Sequence, residues 1–271
     1  NCAYYVKNKY GILYVVTEHS SSIIKGNLSD NEKKLLKVGY DGAQYIWAVG
    51  NQLKERIAEF YNGQIDVLPN IVPDRFRIIT NIKKYPIFTF ISVGALIPRK
   101  RMTLLIEAIE HINKEQLRVK LVIIGEGSEK KLLHELIQKK KLDGIVELVG
   151  EINNNELPQY YNRAHCFVLA SAYETFGIVW REAMACGLPV IGTVCGGPEE
   201  DIDDSNGILI PVDDLEALIQ AMKWMYHHSK DYASTEISGI VRQECSTERI
   251  VTQLIKRYKV IVEGSMGKNE K

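Results

Sequence analysis

Charge of neither sign predominates in this 271-residue chain: lysine plus arginine and aspartate plus glutamate both number 34. A nucleic-acid-binding domain needs a basic surplus, so nucleic acid is not an expected partner. Long apolar runs are also missing. The longest, Ile87 to Ile97, is interrupted by Thr89, Ser92 and Gly94 and falls well short of the ~20 residues that span a bilayer. The N-terminal residues do not resemble a secretory leader. Cysteine is scarce and odd in number: Cys2, Cys166, Cys186, Cys195 and Cys245. Their spacing suits neither a metal site nor a disulfide framework, so reduced thiols in the cytoplasm are expected, and no metal. Two basic clusters remain, Arg99-Lys-Arg101 and Lys139-Lys-Lys141. The second closes an expected helix, where cations suit the dipole, and reads first as a solvated face. Peripheral attachment to an anionic membrane is its second reading.

What is present is an alternation of strands and helices. The first stretch reads as strand Ile12–Val16, helix Glu32–Val38, strand Tyr45–Val49, helix Gln52–Tyr61 and strand Ile65–Leu68. Pro69–Pro73 and Thr80–Pro86 read as linker. From Ile87 the apolar runs Ile87–Val93, Val119–Ile124, Ile145–Val149, Cys166–Leu169, Val190–Gly192 and Gly207–Ile210 read as strands. Between and after them, Met102–Ile112, Glu129–Lys139, Glu156–Tyr161, Phe176–Cys186 and Leu215–His227 read as helices. Continuous apolar strands separated by amphipathic helices predict an α/β fold with a Rossmann-like, doubly wound parallel sheet, whose ligands bind beyond the strands' carboxyl ends. A last helix, Thr247–Ile261, starts at Ser246. The expected domains are 1–83, 84–245 and a terminal helix with tail, 246–271.

The segment Ser171 to Pro189 carries the most chemistry. It sets Glu174 and Glu182, with seven residues between them, across a turn and the helix expected from Phe176. A strand, a tight turn and a helix start form an anion site, because the first helical N–H groups are free and the dipole favours negative charge. At 1.5 Å per residue the two carboxylates would lie about 12 Å apart along a helix axis. Glu182 is followed by Ala183, Met184, Ala185 and Cys186, so its helix reads as buried, where a carboxylate needs hydrogen-bond partners. Ribose hydroxyls would serve, and so would a buried arginine or backbone N–H groups.

The paired glutamates resemble the signature of retaining glycosyltransferases of the GT-B fold, family four (glycosyl transferases group 1). Ser92–Lys100, Val122–Gly127, Val149-Gly150, Cys195–Glu200 and Asn206–Ile210 agree in order and spacing. The likeness runs from about Tyr14 to Tyr258. It implies a donor-binding domain preceded by the later part of an acceptor-side domain, with the start of that domain outside this chain, and a terminal helix that crosses back to it. It implies transfer of a sugar from a UDP-, GDP- or ADP-sugar to a hydroxyl of a glycan or glycolipid with retention, in polysaccharide or glycolipid assembly. Such enzymes work in the cytoplasm or at the inner membrane face and use no catalytic metal or cofactor. By resemblance Lys100 meets the diphosphate, with Gly94 and Arg99 beside it. Gly125, Gly127, Val149 and Gly150 line the nucleotide pocket. Glu174 holds the sugar, Phe176, Gly177 and Ile178 present backbone N–H groups, Glu182 takes the ribose and His19 lies near the reaction centre.

The chain departs from the family pattern at Ala95, where many relatives have arginine, and at Arg101, where they have glycine. Diphosphate binding then falls to Lys100 with Arg99 or Arg101. Read without the family, Lys100 is an exposed lysine of a basic loop, His19 a capping loop residue, and Asp201-Ile-Asp203 a pair of solvated loop carboxylates. Gly125-Glu-Gly127 lacks the third glycine of a dinucleotide fingerprint, which would fall at Lys130. The alternatives to a transferase are an inactive nucleotide-sugar-binding fragment and a GT-B-shaped epimerase.

Overall fold

A computed structural model describes residues 2–266 of the chain. They form two compact units, 2–71 with 244–266 and 72–243.

The first unit is built on a three-stranded parallel sheet of β1 (Val16–Glu18), β2 (Ile46–Ala48) and β3 (Asp66–Val67), in that order. Helices α1 (Cys2–Tyr10), α2 (Ser21–Ile24), α3 (Asp30–Asp41) and α4 (Asn51–Ala58) accompany it. Ser29 and Glu32 start α3 with a reciprocal capping box, which satisfies two N–H groups that a helix start otherwise leaves open. Residues 12–15, expected to be strand, precede β1; Ile12 and Leu13 are exposed, and a strand cannot be fixed by side chains that bury nothing. Trp47 is the unit's anchor. It packs with Leu68 and with Ile250 and Leu254, four residues apart on the terminal helix, numbered below as α11 (Thr247–Met266).

The second unit holds a six-stranded parallel sheet: β4 (Phe88–Val93), β5 (Val119–Ile124), β6 (Val146–Gly150), β7 (Cys166–Leu169), β8 (Val190–Thr193) and β9 (Gly207–Ile210). Its order is β6-β5-β4-β7-β8-β9. The chain builds outward from β4 to β6, returns to β4's other side with β7, and continues to β9. The order therefore reverses between β4 and β7, and a crevice opens past their carboxyl ends. Helices α5 (Met102–Lys114), α6 (Lys130–Lys139), α7 (Leu157–Arg163), α8 (Ile178–Ala185), α9 (Leu215–His228) and α10 (Ser234–Cys245) complete the unit. Helix α5 buries Leu105, Ile106, Ala108, Ile109 and Ile112, the 3–4 spacing of a core-facing stripe.

Two expected features change. The linker expected through residue 86 belongs mostly to this unit, because Asn162 grips it: the side chain accepts from the Ile79 N–H at 2.8 Å and donates to the Arg77 carbonyl at 2.9 Å. Phe76 is buried, so the contact boundary falls at 71. Helix α10, Ser234–Cys245, is not predicted by the apolar patterning. Its burial rests on Ile237 and Val241, with the Ser238 hydroxyl donating to the Ala185 carbonyl at 2.7 Å.

Candidate functional site

Three glycines end the strands that face the crevice. Gly94 follows β4, Gly125 follows β5 and Gly150 closes β6, and their backbones are stitched side by side. Gly94 N–H donates to the Ile124 carbonyl at 3.0 Å and Gly125 N–H to the Gly150 carbonyl at 2.9 Å. At Gly125, φ is 143° and an added Cβ would lie 2.0 Å from the Gly94 carbonyl oxygen. Only glycine permits that approach. Gly127 meets the Leu96 carbonyl in the same way, at 2.3 Å. Val149 and Gly150 sit half-buried at the end of β6.

Beyond Gly94 the chain makes a short 3-10 turn, Pro98–Lys100, closed by Arg101 in the left-handed region. The turn drives Lys100 inward. It is buried, with 7% of its surface exposed, and its Nζ is hydrogen-bonded to the buried Glu174 carboxylate. The exposed-loop reading of Lys100 is thus overturned. Glu174 Oε1 also accepts from the Ser171 hydroxyl at 2.8 Å. Arg99 lies 3.9 Å from the other carboxylate oxygen and over the Tyr173 ring, 5.2 Å from its centroid. Arg101 points elsewhere: its guanidinium is taken in two bonds, 2.6 and 3.0 Å, by Asp213. Of the two arginines expected to supply a second cation, Arg99 is the one beside the pair.

Glu174 itself is not helical. It makes an isolated bridge with Gly196, its N–H donating to the Cys195 carbonyl at 3.1 Å. Gly177 (φ 67°) then turns the chain, and α8 starts at Ile178 without a side-chain cap. The expected start at Phe176 is corrected accordingly, as is the axial spacing of 12 Å, since half of the interval is a bridge and a turn. The free N–H groups of the first turn and the dipole's positive end therefore arise at Ile178, four residues after Glu174.

Glu182 lies on the second turn of α8, buried at 6% exposure. Burial pushes its pKa up to about 7, against the lowering influence of the Tyr161 hydrogen bond and the Arg75 charge. The Tyr161 bond is long, 3.3 Å, and the same hydroxyl also reaches the Val179 carbonyl at 3.2 Å. The carboxylate is thus poorly compensated within the protein, as the sequence alone had left open. His19 belongs to the first unit. It is exposed, and the Glu18 carboxylate accepts from its backbone N–H at 3.0 Å.

Asp201, read as a solvated loop carboxylate, in fact has its side chain 6% exposed and paired with Arg181 at 2.5 Å. Ser171, Tyr173, Arg181 and Trp180 were not singled out by the sequence. Arg181 had a visible signal: a second charge, next to Glu182, in a helix whose other residues are apolar. Among the described residues no group of three or more His, Cys, Asp or Glu could hold a metal ion.

Solved structures place this two-unit architecture among GT-B glycosyltransferases. Sucrose-phosphate synthase from Thermosynechococcus elongatus superposes with a TM-score of 0.86 over 96% of this chain and 71% of that one, at 22% identity. Anabaena HepE in complex with UDP and glucose gives 0.80 over 94% and 74%, at 19% identity. At such identities the likeness speaks for the fold. The family model for glycosyl transferases group 1 matches residues 74–239, and the chain belongs to that family. An uncharacterized glycosyltransferase of Methanocaldococcus jannaschii is 31% identical over 205 residues, 75% of this chain and 56% of that protein. N-acetyl-alpha-D-glucosaminyl L-malate synthase of Bacillus anthracis is 29% identical over 269 residues, 93% of this chain and 69% of that protein. The chain thus spans little more than half of the first relative's length.

Proposed function

We propose that this chain is the donor-binding part, with a portion of the acceptor side, of a retaining glycosyltransferase acting on a nucleoside diphosphate sugar. UDP, GDP and ADP remain equal candidates for the nucleotide. The acceptor is a hydroxyl of a glycan or glycolipid, and the setting is the cytoplasm or the membrane's inner face. Among the described residues no helix is long and apolar enough to cross a membrane.

The observation that carries the reading is the buried Lys100–Glu174 pair at the sheet's switch point. A buried pair costs desolvation and is weak evidence for a stability role. At this position it holds an ammonium and a carboxylate ready for a ligand of both chemistries: phosphate for the cation, sugar hydroxyls for the anion. In the proposed reaction the bond from the anomeric carbon to the diphosphate oxygen breaks. The acceptor oxygen attacks from the same face, and its proton passes to the departing phosphate. The protein's contribution is charge and position: Lys100, Arg99 and the N-terminus of α8 meet negative charge that grows on the leaving group. Glu182 would accept hydrogen bonds from ribose hydroxyls, compensation that Tyr161 alone supplies poorly.

Calorimetry with UDP, GDP and ADP and their sugars tests the reading. Tight binding of one series is expected, with Lys100→Ala losing affinity for the diphosphate while keeping that for the uncharged nucleoside. No binding of any nucleotide would remove the reading at its base. Conversion of donor without acceptor would favour an epimerase instead.

A further inference from the structure

A second buried ion pair lies close to the first in sequence, and the proposed chemistry makes no use of it. Arg181, on the first turn of α8, is buried; the Asp201 side chain, beyond β8, is only 6% exposed, and the two side chains meet at 2.5 Å. Asp201 also accepts from the Trp180 indole N–H at 3.0 Å. The guanidinium does not run along its own helix. It reaches back to Phe176, lying 3.4 Å from the ring centroid and donating to the Phe176 carbonyl at 3.2 Å. One side chain thus holds both the ring and the carbonyl of the residue immediately before the left-handed Gly177.

The turn it holds is otherwise lightly specified. Gly177 gives no side-chain cap to α8, and glycine is the residue least able to fix its own backbone. The Trp180 ring closes the other side, since a Cβ at Gly177 would fall 1.6 Å from it. Asp201 grips both Arg181 and Trp180, and so ties the β8 loop to the two side chains that set the turn. Burying a guanidinium and a carboxylate where leucine and isoleucine would pack is costly. A planar donor that stacks and hydrogen-bonds at once is what distinguishes arginine from an apolar filler or a lysine.

We infer that Arg181, held by Asp201, is a positioning residue for the donor diphosphate: it sets the Phe176–Gly177 turn and with it the direction of α8's first N–H groups. The inference rests on the donor-binding reading above. It predicts that the pair affects recognition of the phosphates and not of the base.

The test is calorimetry on the full chain with a nucleoside diphosphate (whichever of UDP, GDP or ADP binds) and the matching uncharged nucleoside. In Arg181→Met/Asp201→Asn both charges are removed while Asn keeps an acceptor for Trp180. The affinity ratio of diphosphate to nucleoside should fall by about tenfold or more, the loss of one or two charge-assisted contacts. Nucleoside affinity and the melting temperature should stay near the parent's. Arg181→Lys, which keeps the charge but not the planar stack, should fall between the two, and it decides the matter if the double variant fails to fold. An unchanged ratio in a folded variant overturns the inference and makes the pair purely structural. Failure of the parent to bind any nucleotide would instead overturn the donor-binding reading, and this inference with it.

Discussion

Glu182 ties titration to function at a single residue. Its carboxyl has a pKa near 7 in the folded chain against an ordinary 4.5. The native state therefore holds a proton that the unfolded chain releases between these values, and stability contributed by the protonated form is lost as pH rises through that window. The shift amounts to about 3 kcal/mol at most. Urea unfolding from pH 4.5 to 7.5 should show this fall in the parent and its absence in Glu182→Gln; parallel profiles would mean that Glu182 does not titrate there. Ribose hydroxyls donated to the carboxylate favour its ionised form, so nucleotide binding near pH 6 should release a proton, read as an enthalpy that varies with buffer. Lys100 behaves differently because its partner is an acid that cannot find water. Lys100→Met should cost about 3–5 kcal/mol by stranding Glu174. Lys100→Met/Glu174→Gln should recover much of that stability, and transfer should stay lost. Recovery of transfer in the double variant would remove the pair from the chemistry.

Among the elements, the strand ends rather than the strands carry the constraint. The crevice exists because the turns after β4 and β5 touch backbone to backbone at Gly94 and Gly125. Gly125→Ala would combine an unfavourable φ with a Cβ 2.0 Å from a carbonyl oxygen, a cost of about 2–4 kcal/mol that the neighbouring strand cannot absorb without moving. Thermal melting should show this directly, and nucleotide affinity should fall with it. Gly144→Ala serves as the comparison: its φ is also positive, at 79°, but nothing lies within 4 Å of the added Cβ. It should cost only the backbone strain, about 1 kcal/mol. Equal losses at the two sites would show that close approach does not matter at Gly125.

For the whole molecule, the region matched by the family model, 74–239, nearly coincides with the second compact unit, 72–243. That unit has its own six-stranded sheet and its own core. Residues 72–243 expressed alone are expected to unfold in one cooperative transition and to bind the same nucleotide as the full chain. A fragment that lacks cooperative melting would show that the second unit depends on the first. The first unit depends on α11, whose Ile250 and Leu254 cover Trp47. Its sheet has three short strands, few enough to need such a cover.

Apolar runs and helical stripes are local properties, so residues 87 to 228 could be read as a doubly wound sheet with element ends close to those observed. The paired glutamates and the glycine-terminated strands were legible for the same reason: each is a spacing along the chain. Less was legible where few side chains are buried, as at residues 12–15, or where burial is supplied by a distant segment, as for α10. Charge pairing was not legible at all. Lys100 with Glu174, Arg101 with Asp213 and Arg181 with Asp201 join residues 74, 112 and 20 positions apart, and nothing local distinguishes a lysine that turns inward from one that faces water. Local patterning was enough for the alternation of elements, the doubly wound parallel sheet and the family. Which charges are buried and which partners hold them follows only from the folded chain, because desolvation and pairing depend on what the fold brings within reach.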